Sequence, residues 1–99
     1  MSTVVASASR FDTVDPATGE VLATLPLAGE GEIDAAVEAA RAAQPAWARL
    51  DPSDRTHVLF RVAQLVEQHA DELAELESRD VGKPLAEARS RDVRFTAQT

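Results

Sequence analysis

Apolar residues change their spacing several times along this chain, and each change marks an expected element. Residues 11–14 form a short β-favouring run, residues 15–19 read Asp-Pro-Ala-Thr-Gly, and residues 20–27 resume an extended pattern. Proline fixes φ and glycine accepts a positive φ, so the pattern predicts a β-hairpin with a connection over residues 15–19. A two-stranded hairpin is marginal in water and must lean on something else.

Beyond residue 32 the period becomes helical. Ile33, Ala36, Val37, Ala40 and Ala43 recur at three- and four-residue spacing, behind Gly29 as a cap and the acidic Glu30 and Glu32. The stripe is narrow and alanine-rich, which suits close approach to a neighbour. Pro45 predicts the end of this helix, and Trp47 reads as a packing anchor rather than a ligand platform.

A second helix has the clearest start: Asp51 at the cap, Pro52 in the first turn, and Asp54 where the helix dipole is positive. Its apolar stripe is Val58, Leu59, Val62, Leu65, Val66, Leu73 and Leu76, with Gly82 just beyond the predicted end as a left-handed cap. Pro84 opens a third helical run over residues 85–99, in which Glu87 and Arg91 stand four apart for a surface pair. No stop signal follows, so the natural polypeptide is expected to continue. Residues 1–10 are small, polar and aperiodic, and are expected to be a flexible tail.

Composition narrows the function classes. The 99 residues carry 17 acidic against 10 basic side chains, a formal net charge of −7, which opposes binding to a phosphate backbone. Nucleic acid is therefore excluded as an expected partner. With 44% hydrophobic and 27% charged residues the chain resembles an ordinary globular protein. It contains no cysteine, so a disulfide framework, a thiolate zinc site and a thiol nucleophile are all absent from it. The start lacks a basic region ahead of an apolar run, and no stretch approaches the roughly 20 apolar residues of a membrane span. A soluble, cytoplasmic protein without a membrane partner is the expectation.

Three groups of residues invite a chemical reading, and each has a plainer one. Gly29-Glu30-Gly31 sits between a predicted strand and helix, the setting of a pyrophosphate-binding turn. The third glycine of that fingerprint is replaced by Asp34, and Glu30 and Glu32 would oppose phosphate, so a capping turn is favoured. His57 and His69, on one predicted helix, would lie about 18 Å apart along its axis and share no metal. His57 belongs to the polar face, and His69 is expected to be partly buried among Leu65, Val66 and Leu73. The acids Glu67, Asp71, Glu72, Glu75 and Glu77 read as a solvated face, with Glu75 and Arg79 as a modest pair.

Taken in order, Val14-Asp15-Pro16-Ala17-Thr18-Gly19-Glu20-Val21, Ile33-Asp34-Ala35-Ala36-Val37 and Ala42-Ala43-Gln44-Pro45-Ala46-Trp47 resemble the beginning of an aldehyde dehydrogenase. Arg55, Leu73-Ala74-Glu75-Leu76-Glu77 and Asp80-Val81-Gly82-Lys83-Pro84-Leu85 look like the second helix and Gly-Lys-Pro connection of that family. The resemblance runs from residue 11 to about residue 94. It implies an α/β fold in which this segment supplies an N-terminal β-hairpin and three helices, the last incomplete. Residues 11–99 would then be an incomplete N-terminal part of the cofactor-binding domain.

The resemblance further implies an NAD- or NADP-dependent oxidation of an aldehyde to a carboxylic acid by a homo-oligomeric enzyme. Its catalytic thiolate, water-activating carboxylate and cofactor turns would lie beyond residue 99, so no catalytic or cofactor-binding residue carries over and the chain is expected to be inactive alone. Its partner would be the rest of an aldehyde dehydrogenase subunit. One site carries over in part: a monovalent cation held by main-chain carbonyls of Thr13 and Val14 and by Asp80, oxygen donors suited to a hard cation. Alternatively, Asp80 caps backbone near a helix end. A rival reading of the whole chain is a free-standing helical interaction module without catalysis, docking through the second helix.

Overall fold

A computed structural model describes residues 9–99. The first element is an antiparallel hairpin of β1 (Arg10–Val14) and β2 (Val21–Pro26), joined by the expected turn. Asp15 organises that turn: its Oδ1 accepts from Ala17 N at 2.8 Å and Thr18 N at 3.3 Å, and its carbonyl accepts from Gly19 N at 2.7 Å. Gly19 sits at φ 76°, the left-handed region that glycine enters without steric cost. Register runs from Arg10 opposite Pro26 to Thr13 opposite Ala23, then shifts so that Val14 meets Val21, leaving Leu22 as the extra residue of a bulge. β1 thus begins at Arg10, inside the segment expected to be a tail, and Ser9 O accepts from Leu27 N at 2.9 Å. The remainder of the expected tail, residues 1–8, lies outside the described residues.

Helix α1 spans Glu30–Arg49 and runs straight through Pro45, which does not end it. The proline forfeits one hydrogen bond, to the Arg41 carbonyl, and an interior proline costs about 3 kcal/mol. Alanines at 42, 43 and 46 favour the helix on either side, and with every residue of α1 exposed the freed carbonyl is open to water. The same exposure overturns Trp47 as an anchor within this chain: it is 40% exposed.

The long second helix of the sequence reading is two helices, α2 (Pro52–Gln68) and α3 (Ala70–Val81), divided at His69. His69 takes φ −104° and ψ 19°, outside the helical well, while still accepting from Leu73 N at 2.9 Å and donating to Leu65 O at 3.1 Å. Asp71 and Glu72 then occupy the first turn of α3, where acids suit the dipole, and Glu72 Oε2 lies 3.2 Å from His69 Nδ1. His69 is accordingly exposed, not partly buried as its apolar neighbours suggested. At the start of α2, Asp51 holds the cap position without a side-chain hydrogen bond, and Arg55 instead donates to Ala48 O at 3.1 Å, tying α2 to the end of α1.

The last helical run opens at Leu85 as expected but is not uniform. A short α4 (Leu85–Glu87) widens into a π-helical segment (Ala88–Val93) and returns to α geometry as α5 (Arg94–Gln98). The expected Glu87–Arg91 and Glu75–Arg79 pairs do not form; the charges pair across elements instead, Arg89 Nε with Asp71 Oδ1 at 2.8 Å and Lys83 Nζ with Asp92 Oδ2 at 2.6 Å. Between α3 and this run lies the core, consisting of Ala74, Ala88 and Val93 with Val66 and Ala70 packed against it. No large side chain is fully enclosed among the described residues, and Leu59, Phe60 and Phe95 remain 63%, 65% and 62% exposed. None of these helices is long and apolar enough to cross a membrane.

Candidate functional site

The junction between hairpin and helices is the best-defined constellation of the chain. Gly82 ends α3 at φ 77° and ψ 15°, with its N–H donating to Ser78 O at 2.9 Å. This is the left-handed C-cap that the sequence predicts. A Cβ at this glycine would lie 2.8 Å from Pro16 Cγ, so the hairpin turn fits against the helix end only because residue 82 lacks a side chain. Ser78 Oγ donates to Lys83 O at 2.7 Å and closes the same corner from the helix side.

Lys83 continues the corner into the last helical run. Its contact with Asp92 Oδ2 is short, although the approach is off the preferred hydrogen-bond angle and that oxygen is withdrawn from water. Hydrogen bonding to Asp92 is nevertheless the main influence raising the Lys83 ammonium above its ordinary 10.5, opposed by desolvation and aided by the charges of Asp92, Glu87 and Glu77. Lysine and aspartate stand nine positions apart, across a non-helical corner, so no local spacing rule foretells the pair. The same holds for Arg89 with Asp71.

The three residues expected at a cation site fall on the two sides of this junction. Thr13 and Val14 of β1 stand opposite the bulge at Leu22, and Asp80 is exposed in the last turn of α3, two residues before Gly82. The Pro16 contact with Gly82 brings the strand end and the helix end into one neighbourhood. The Thr13 hydroxyl donates to Ala23 O at 3.5 Å. Oxygen donors of this kind suit hard cations better than soft transition metals. Among the described residues no three His, Asp or Glu side chains gather in a metal-binding group.

The other candidates keep their plainer roles. Gly29 caps α1, and its N–H donates to Glu32 Oε2 at 2.9 Å, half of a capping box whose other half glycine cannot return. Carboxylates thus occupy the helix start that a pyrophosphate would need, and these residues do not fit a dinucleotide. His57 is exposed on α2, as are Glu67, Asp71, Glu72 and Glu75 on their helices, while Glu77 is half-buried. One cleft, of about 290 Å³, is an apolar trough between Leu59, Phe60 and Ala63 of α2 and Ala97 of α5. It contains no titratable side chain. Among the described residues this arrangement pairs no nucleophile with a base.

Comparison with known proteins agrees in both sequence and shape. The aldehyde dehydrogenase family profile matches residues 4–99. A 2-aminomuconic semialdehyde dehydrogenase of Bos taurus is 51% identical over 85 residues, covering 86% of this chain and 18% of that protein. The Homo sapiens protein of the same name is 48% identical over 90 residues, covering 91% and 18%. Among solved structures, a gamma-glutamyl-gamma-aminobutyraldehyde dehydrogenase from Burkholderia cenocepacia J2315 superposes with a TM-score of 0.87 at 45% identity, over 90% of this chain and 18% of that one. A variant of the P. syringae indole-3-acetaldehyde dehydrogenase, solved with NAD+, superposes with a TM-score of 0.89 at 38% identity, over 99% of this chain and 20% of that one. The chain spans about a fifth of the length of these relatives. With the hairpin, the Gly-Lys-Pro corner and the family profile in agreement, the chain belongs to the aldehyde dehydrogenase family, as an amino-terminal segment of it.

Proposed function

We propose that this chain is the amino-terminal scaffold of an NAD(P)-dependent aldehyde dehydrogenase subunit and oxidises no aldehyde by itself. The observation that carries this reading is the exposure of its large apolar side chains. Val58, Leu59, Phe60 and Val62 are each more than two-fifths exposed on α2, and every residue of α1 faces solvent. Exposed apolar surface on this scale marks an interface. In this reading the rest of the subunit covers it and holds the thiolate, the acid and the dinucleotide, which supplies the hydride acceptor. The subunit is cytoplasmic and assembles as a homo-oligomer, as the family resemblance implies.

The test is direct. Purified chain, incubated with short and aromatic aldehydes and either NAD+ or NADP+, is expected to form no reduced nicotinamide above the protein-free rate. Formation in proportion to protein concentration overturns the proposal. A free-standing interaction module, the rival, would melt sharply and as a monomer, whereas a scaffold deprived of its subunit melts broadly and self-associates.

A smaller proposal concerns Thr13, Val14 and Asp80, as part of a monovalent cation site completed by the rest of the subunit. Its support is the contact between Pro16 and Gly82, which draws the two carrier segments together. In the assembled subunit, Asp80→Ala is expected to weaken the dependence of stability on potassium or sodium concentration. An unchanged dependence removes Asp80 from the site.

A further inference from the structure

The π-helical segment Ala88–Val93 belongs to the buried cluster of the described residues, and its two ends, Ala88 at 0% and Val93 at 7% exposure, are both core residues. An α-helix turns about 100° per residue, so residues five apart point about 140° away from each other. A π-helix, with its i→i+5 hydrogen bonds and roughly 4.4 residues per turn, turns about 82° per residue and brings residues five apart to within about 50°. Only the wider geometry lets Ala88 and Val93 face Ala74 together.

Two ion pairs also tie the run to its surroundings. Arg89, at the start of the segment, reaches Asp71 in the first turn of α3, and Asp92, near its end, reaches Lys83 at the corner. In an unbroken α-helix Asp92 would swing by about 54° relative to Arg89's side of the segment. Shortening the segment by one residue restores the facing: in an α-helix residues four apart lie within about 40°. Ser90 is exposed and belongs to neither ion pair.

We propose that Ala88–Val93 houses one residue more than α-helical continuity requires, and that the π geometry is the device by which the run absorbs it while keeping both core residues turned toward α3. The direction of α5, and with it the trough between α5 and α2, is set by that absorption.

Hydrogen–deuterium exchange on the full 99-residue chain tests this with two deletions of equal length. Deletion of Ser90 is expected to leave exchange in α3 within about threefold of the parent and to slow exchange in residues 88–94, as shorter i→i+4 bonds replace the wider ones. Deletion of Glu75, an exposed residue inside regular α geometry, is expected to accelerate exchange in α3 by about tenfold or more. Ser90→Ala is expected to change nothing, since the count and not the hydroxyl matters. Acceleration by the Ser90 deletion equal to that by the Glu75 deletion overturns the proposal. So does indifference of α3 to both deletions, or acceleration by Ser90→Ala alone.

Discussion

Pro16 fills the space that any side chain at Gly82 would need: a Cβ there would stand 2.8 Å from Pro16 Cγ. The two residues are sixty-six positions apart, and the hairpin turn and helix end that carry them are otherwise independent elements. Their fit couples the positive φ of a helix cap to the placement of a β-turn.

Gly82→Ala should therefore suffer twice, from the left-handed backbone, about 1–2 kcal/mol, and from overpacking, about 1–3 kcal/mol. Hydrogen exchange in the last turn of α3 reports the loss. Pro16→Ala removes Cγ and leaves Pro16's Cβ position 3.6 Å away, so the second component should shrink in the double variant. Additive effects would mean that the two residues do not meet.

The pairing of Lys83 with Asp92 gives a defined alkaline dependence. The folded lysine is held above 10.5, so it binds its proton more tightly in the folded than in the unfolded chain. Its contribution is complete below the unfolded value and is lost as pH rises through the folded one. Protection of the Lys83 corner should fall above about pH 10.4 in the parent, and Asp92→Asn should remove that particular fall. Persistence of the fall in Asp92→Asn would assign it to other groups.

Ala74 is fully buried against Ala88 and Val93. Ala74→Leu should cost about 1–3 kcal/mol by overpacking, and Val93→Ala about 1–2 kcal/mol by loss of buried methyl groups. Both are read as faster exchange in α3. Leu59→Ala, on the exposed trough, should change it by less than about 0.5 kcal/mol in the isolated chain.

Pro45 lies inside α1 rather than beyond it. Pro45→Ala restores the missing N–H and should raise helical circular dichroism at 222 nm, with a gain of up to about 3 kcal/mol in local helix stability. An unchanged spectrum would show that the helix already accommodates the proline without loss.

Much of the local structure was legible in residues 11–99. The Asp-Pro-Ala-Thr-Gly turn, the Pro52 start, the Gly82 stop and the Pro84 restart act through their own dihedral angles and hydrogen bonds, which neighbours in sequence decide. The errors occurred where local rules compete. Alanine-rich flanks outweighed Pro45, and the break at His69 was hidden by an apolar stripe that ran on through Leu73 and Leu76; the acids Asp71 and Glu72 were the available sign of a new helix start. The expected i,i+4 pairs of Glu75 with Arg79 and Glu87 with Arg91 gave way to pairs between elements, which no single-helix rule contains.

By itself, then, the sequence determined the element types, the capped corner at Gly82, the family resemblance and the absence of a thiol nucleophile, because each of these depends on residue identity at short range. Only the tertiary structure decided that Pro16 fills the space beside Gly82, that Lys83 meets Asp92 and Arg89 meets Asp71, and that one helical run widens to keep Ala88 and Val93 together. These depend on how separate elements are turned toward one another, an orientation that is fixed by packing and charge across the chain.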